Sequence, residues 1–184
     1  MVNGEVDQAG NYLLRAWQFD SGSINGVPLH GLTVALLEKG GNTLAVPKNH
    51  ASDAVAYLPP GLTANQRLAL LSWVKQNTSA TLNDAHVKIA PVDAQIAQDQ
   101  TRCSIGKEIA FTGGKPAECN VGGCGEMLWY QPRGAASSFV VDQLDESNIT
   151  EPLLSLHWMD HGRRTLFVGR FGDPEPVVPA LCGI

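Results

Sequence analysis

Charge is scarce in this chain. Lys, Arg, Asp and Glu make up 17% of its 184 residues, against ~25% in ordinary globular domains. The net charge is −5, and no run of Lys and Arg is dense enough to track a phosphate backbone, so no nucleic-acid partner is expected. Long apolar runs are missing too. Stretches such as Leu68 to Val74 fall far short of the ~20 residues that span a bilayer, and no membrane insertion is expected. Met1 to Gly10 is polar, carries Glu5 and Asp7, and lacks a cationic start followed by an apolar core. It does not read as a signal peptide, and the expectation is a soluble, cytoplasmic protein. Several catalytic signatures are absent as well: the P-loop, Gly-x-Ser-x-Gly, His-Glu-x-x-His and the dinucleotide fingerprint. There is no internal repeat.

Glycine and proline are plentiful, at 19 and 11 residues, and 43% of the chain is apolar. This composition excludes a disordered chain, a coiled coil and a collagen-like repeat. The length fits one domain, 1–184. Within it, residues 1–10 are expected to be flexible, and 173–184, with three Pro between Asp173 and Pro179, to form an extended tail.

Period-two patterns predict strands over Tyr12–Phe19, Leu32–Leu37, Ala54–Leu58, His86–Ala97, Arg102–Thr112 and Ser137–Leu144. In the first of these, Leu13, Trp17 and Phe19 share one parity, with Arg15 the exception. Asn25-Gly26 is a turn signal, and Thr43–Val46 reads as a returning hairpin strand. Leu153–Met159 and Arg164–Phe171 read as a further hairpin around a turn at Asp160-His161-Gly162. Asp142, Asp145 and Glu146 read as a solvated turn. One helix, about 63–77, is clearly marked. Thr63 and Gln66 form a capping box, Asn77 is a stop, and Leu68, Leu71 and Val74 with Leu70 and Trp73 make a broad apolar face. The fold class is α+β, a mainly antiparallel sheet of about eight strands with one helix. Edge strands in such a sheet invite pairing, and a homodimer is an expectation.

Chemistry concentrates in residues 113–126, where five of fourteen residues are Gly. Cys119 and Cys124 lie within this segment and Met127 follows it. A Gly-rich segment has little side chain to bury and can fold tightly around something small. Thiolates and thioethers are soft donors for zinc or copper. His157 and His161 follow 33 residues after Cys124. A hairpin there brings both imidazoles to one end of a sheet, completing a candidate ligand set of Cys119, Cys124, His157, His161 and Met127. Two other readings stay open. In one, the chain is a non-catalytic interaction or structural domain, with Cys119 and Cys124 as a disulfide or idle thiols. In the other it is a thiol-dependent enzyme using Cys124 with one of five His as base. Cys103, in a strand pattern, is expected to be buried.

Three stretches, Gly22–Leu37, Ala54–Leu58 and Leu62–Leu71, resemble the bacterial family numbered 1326 among domains of unknown function. The resemblance covers about the first 75 residues. It implies a single α+β domain and, through gene neighbours, a link to metal handling. Members carry a Cys-rich motif just after the first strand begins. Here Tyr12–Phe19 contains no Cys, so no ligand transfers from the family to this chain.

Overall fold

Two stretches in the first third of the chain lack polar alternation, and the architecture follows from burying both of their faces. The computed structural model describes residues 11–40, 53–78, 82, 84–96, 100–116 and 140–168. In chain order these form β1 (Asn11–Gln18), a small hairpin of β2 (Ser23–Ile24) and β3 (Val27–Pro28), β4 (Thr33–Gly40) and β5 (Asp53–Leu58). The helix α1 (Ala64–Gln76) follows, then β6 (Val87–Ile89), β7 (Val92–Ile96) and β8 (Thr101–Ile105). Last come β9 (Ile109–Pro116), β10 (Val140–Glu151) and β11 (Leu156–Val168).

The chain is α+β, rich in sheet and mostly antiparallel. Its strands are divided among three sheets instead of about eight in one. A four-stranded sheet runs β1-β4-β5-β6, a five-stranded sheet runs β11-β10-β9-β8-β7, and β2-β3 stand apart. The pairing of β5 with β6 is parallel. Parallel neighbours need a crossover, and α1 supplies it.

Three layers result. Trp17, Val34, Leu36, Ala56 and Leu58 face α1, which inserts Ala69, Leu70 and Val74. Ala35, Leu37, Val55 and Tyr57 point the other way and meet Cys103, Ile105, Ile109, Ile149 and Trp158 of the second sheet. Strands β4 and β5 are thus apolar on both faces because both faces are covered.

The capping box at the start of α1 is present, with Thr63 Oγ1 accepting from Gln66 N–H at 3.2 Å and Gln66 Oε1 accepting from Thr63 N–H at 3.0 Å. Thr63→Ala is expected to lower stability by about 1 kcal/mol, read as a shift in the urea midpoint. An unchanged midpoint would show that packing alone holds the helix end. The buried stripe is centred on Leu70 and Val74, one turn apart, and Leu68 is 67% exposed. The broad apolar face read from the sequence is therefore turned away from Leu68.

Arg15, the parity exception in β1, lies on the helix side between Leu13 and Trp17. Its guanidinium bonds the Glu38 carboxylate and the Asn77 carbonyl, while the Thr78 hydroxyl donates to Glu38. This polar patch ties the end of α1 to β1 and β4. Asn25 (φ 51°) and Gly26 (φ 78°) turn the small hairpin as the dipeptide signals.

Four sequence expectations change. His86–Ala97 is broken at Pro91, because Val87–Ile89 pairs in the first sheet and Val92–Ile96 in the second. Arg102–Thr112 is two strands, with Gly106 at φ 56° in the turn between them. Asp142, Asp145 and Glu146 belong to the long strand β10, whose register shifts around Asp145, and not to a turn. The hairpin at Asp160–Gly162 does not form, and β11 runs through it with a register shift there. Pairing of β11 with β10 on both sides, from Leu156–Glu151 to Val168–Val140, carries the strand past Gly162, and Gly162 and Arg163 fall at the register shift opposite Asp145 instead of in a turn. The reversal instead uses a short 3-10 turn at Pro152–Leu154, capped by Glu151. Residues 1–10, Thr43–Val46 and 173–184 lie outside the described residues.

Candidate functional site

Antiparallel pairing with β10 fixes where the two candidate imidazoles stand. His157 is opposite Thr150 and His161 opposite Glu146. Both belong to the solvent face of β11, whereas Trp158 between them is buried against the first sheet. They are not brought together around a turn. Four residues along a strand separate their backbones by about 13 Å.

Each ring lies beside its own cross-strand neighbour. His157 Nδ1 is 3.0 Å from Thr150 Oγ1, and His161 Nδ1 is 3.7 Å from Glu146 Oε1. His161 and Glu146 are 73% and 71% exposed, so this contact contributes little to stability. Between the two rings on the same face stands Met159, a residue that the sequence reading left out.

Cys119, Cys124 and Met127 lie outside the described residues, so the disulfide, idle-thiol and catalytic readings of that segment are all open. The segment begins after Pro116 at the end of β9 and ends before Val140 at the start of β10. Cys103 is buried as expected. Burial and then the nearby charge of Asp93 push its thiol up to about 12, which leaves it protonated and a poor nucleophile or ligand.

A second polar group is enclosed between the sheets. Glu151 is fully buried and accepts from Tyr57 Oη at 2.5 Å, from Lys88 Nζ at 2.7 Å on both oxygens, and from Leu153 N–H at 2.9 Å. Lys39 Nζ donates to Leu154 O at 2.7 Å beside it. Burial alone would raise the Glu151 pKa, but the bonds from Lys88, Tyr57 and Leu153 outweigh it and hold the carboxyl below its usual range. Burial, and then the bond to Glu151, push the Tyr57 phenol up. A carboxylate with this many donors is a weak base, and a phenol held neutral is a weak acid. With only Lys88 of the three reaching solvent (33% exposed), the group braces the two sheets. None of its three members was singled out in the sequence. The Glu151-Pro152 pair is a helix-start signal, but burial of its carboxylate is a tertiary fact.

A shallow cleft of about 200 Å³ lies between the small hairpin and α1, lined by Ile24, Val27, Asn65 and Leu68 among others. It is smaller than the ~300–1,000 Å³ typical of small-molecule sites. His30 Nδ1 bonds the Asp20 carbonyl, and His86 is half-buried in a 3-10 turn. Among the described residues, no group of three or more His, Cys, Asp and Glu converges, and no helix is long and apolar enough to cross a membrane. No family model matches the chain, and neither a curated protein nor a solved structure does.

Proposed function

We propose that this protein binds a soft metal ion, zinc or copper, without catalysing a reaction. Thiolates of Cys119 and Cys124 supply negative charge, and His157, His161 or Met127 supplies neutral donors. The observation that carries the reading is the exposed face of β11. His157 and His161 are both exposed on it, and His157 Nδ1 is hydrogen-bonded to Thr150 Oγ1, the arrangement that orients a ring so that Nε2 can ligate. Chain length is compatible with this set. Cys124 is eight residues beyond Pro116, enough for about 27 Å of extended chain. His161 is five residues from Leu166, which shares the rung of Asp142 and Pro116, or about 17 Å along the strand.

The reading is tested by elemental analysis of protein purified under reducing conditions without chelators, followed by zinc and Cu(I) titration. Retention or uptake of about one equivalent, with proton release, is the expected result. Cys119→Ser/Cys124→Ser should weaken retention of zinc strongly. Less than about one tenth of an equivalent of any transition metal, with no uptake on titration, overturns the proposal.

A further inference from the structure

We propose that His157 and Met159 form a Cu(I) site on the outer face of β11 that does not require the thiols. The proposal rests on the soft-metal reading above and names the metal and a further ligand.

The geometry begins with parity. Residues 157, 159 and 161 share one face of β11, and Trp158 on the other face is buried. Neighbours on one strand face lie about 6.6 Å apart at the backbone. An imidazole and a thioether at that spacing can both lean onto one ion, which side chains about 13 Å apart do far less readily. Met159 is therefore the better partner for His157 than His161 is.

Met159 is 62% exposed. The cross-strand row that it heads continues through Asn148, Ala110, Ser104 and Asp93, all exposed and small or polar. Met159 thus stands in an exposed row of small and polar residues and not in either core cluster, the usual place of a methionine.

The donor chemistry selects the metal. In the tautomer with the proton on Nδ1, His157 donates to Thr150 Oγ1 at 3.0 Å and Nε2 carries its lone pair outward. Imidazole nitrogen and thioether sulfur are both neutral, and the sulfur is soft. Monovalent Cu(I) suits such a pair, whereas zinc prefers thiolate, imidazole and carboxylate donors. The nearby Glu146 carboxylate adds a negative charge without occupying the pair.

The test uses the full chain carrying Cys119→Ser/Cys124→Ser/Cys182→Ser, which leaves only the buried Cys103, titrated anaerobically with Cu(I) against a competing chromophoric chelator. One equivalent of Cu(I) is expected to bind. Adding Met159→Leu, an exposed and volume-conserving change that leaves folding intact by circular dichroism, should weaken binding at least about tenfold. It should also remove the copper–sulfur signature from the X-ray absorption spectrum. His157→Gln should do the same, and zinc binding should be indifferent to Met159→Leu. If the cysteine-substituted protein takes up no Cu(I), or if Met159→Leu leaves its affinity unchanged, the inference is overturned. The wild-type protein's metal retention then still decides the broader reading independently.

Discussion

Glu151→Ala is expected to destabilise the protein by about 3–5 kcal/mol, because removing one partner of a buried pair leaves the other uncompensated. Lys88 Nζ loses both of its 2.7 Å contacts, and Tyr57 Oη loses the acceptor it reaches at 2.5 Å. The same carboxylate caps the 3-10 turn through Leu153 N–H, so the reversal between β10 and β11 loosens as well. Tyr57→Phe removes one donor and leaves the charge paired, so its cost is smaller, about 1–2 kcal/mol. The pH dependence has a definite sign. The folded-state pKa of Glu151 lies below its ordinary value. Its contribution is therefore complete above the unfolded-state value of ~4.3 and is lost as pH falls through the folded-state value. Urea midpoints of wild type and Glu151→Gln, measured from about pH 7 down to about pH 3, should converge towards the acid end. Parallel curves, or a Glu151→Ala cost under about 1 kcal/mol, would mean that the carboxylate does not join the sheets.

Leu36→Ala and Leu37→Ala should each lower stability by about 2–5 kcal/mol. Consecutive residues on a strand point to opposite faces. In a sheet with one wet face, one of the pair would be nearly neutral. Here Leu36 packs toward α1 and Leu37 toward the five-stranded sheet, and both are fully buried. The two side chains are in separate clusters, so the double variant should show roughly additive losses. Chemical denaturation of the two single variants reads this directly. A near-neutral result for Leu37→Ala would remove the second sheet from that face of β4.

The copper and cysteine parts of the candidate site were legible in the chain to different degrees. Soft donors declare themselves by residue type, and Cys119, Cys124, His157 and His161 were visible as such. Met159 was not, because the Asp160-His161-Gly162 triplet reads as a turn and a turn has no strand parity. Once β11 is continuous, 157, 159 and 161 fall on one face. The brace of Tyr57, Lys88 and Glu151 was equally hidden. Its members are separated by 31 residues or more, and no local pattern links them.

What the chain settled alone was local or compositional. Thr63 and Gln66 are three residues apart and bond each other whatever surrounds them. The apolar runs of β4 and β5 demand cover on both faces wherever the cover comes from. Asn25-Gly26 accepts positive φ without help. The folded structure decided which residues meet across long separations: the break at Pro91 between two sheets, the passage of β11 through Gly162, the burial of Glu151 and the exposure of Leu68. Each depends on a ladder or a packing partner remote in sequence, and such contacts can outweigh a turn or helix propensity worth ~1 kcal/mol or less per residue.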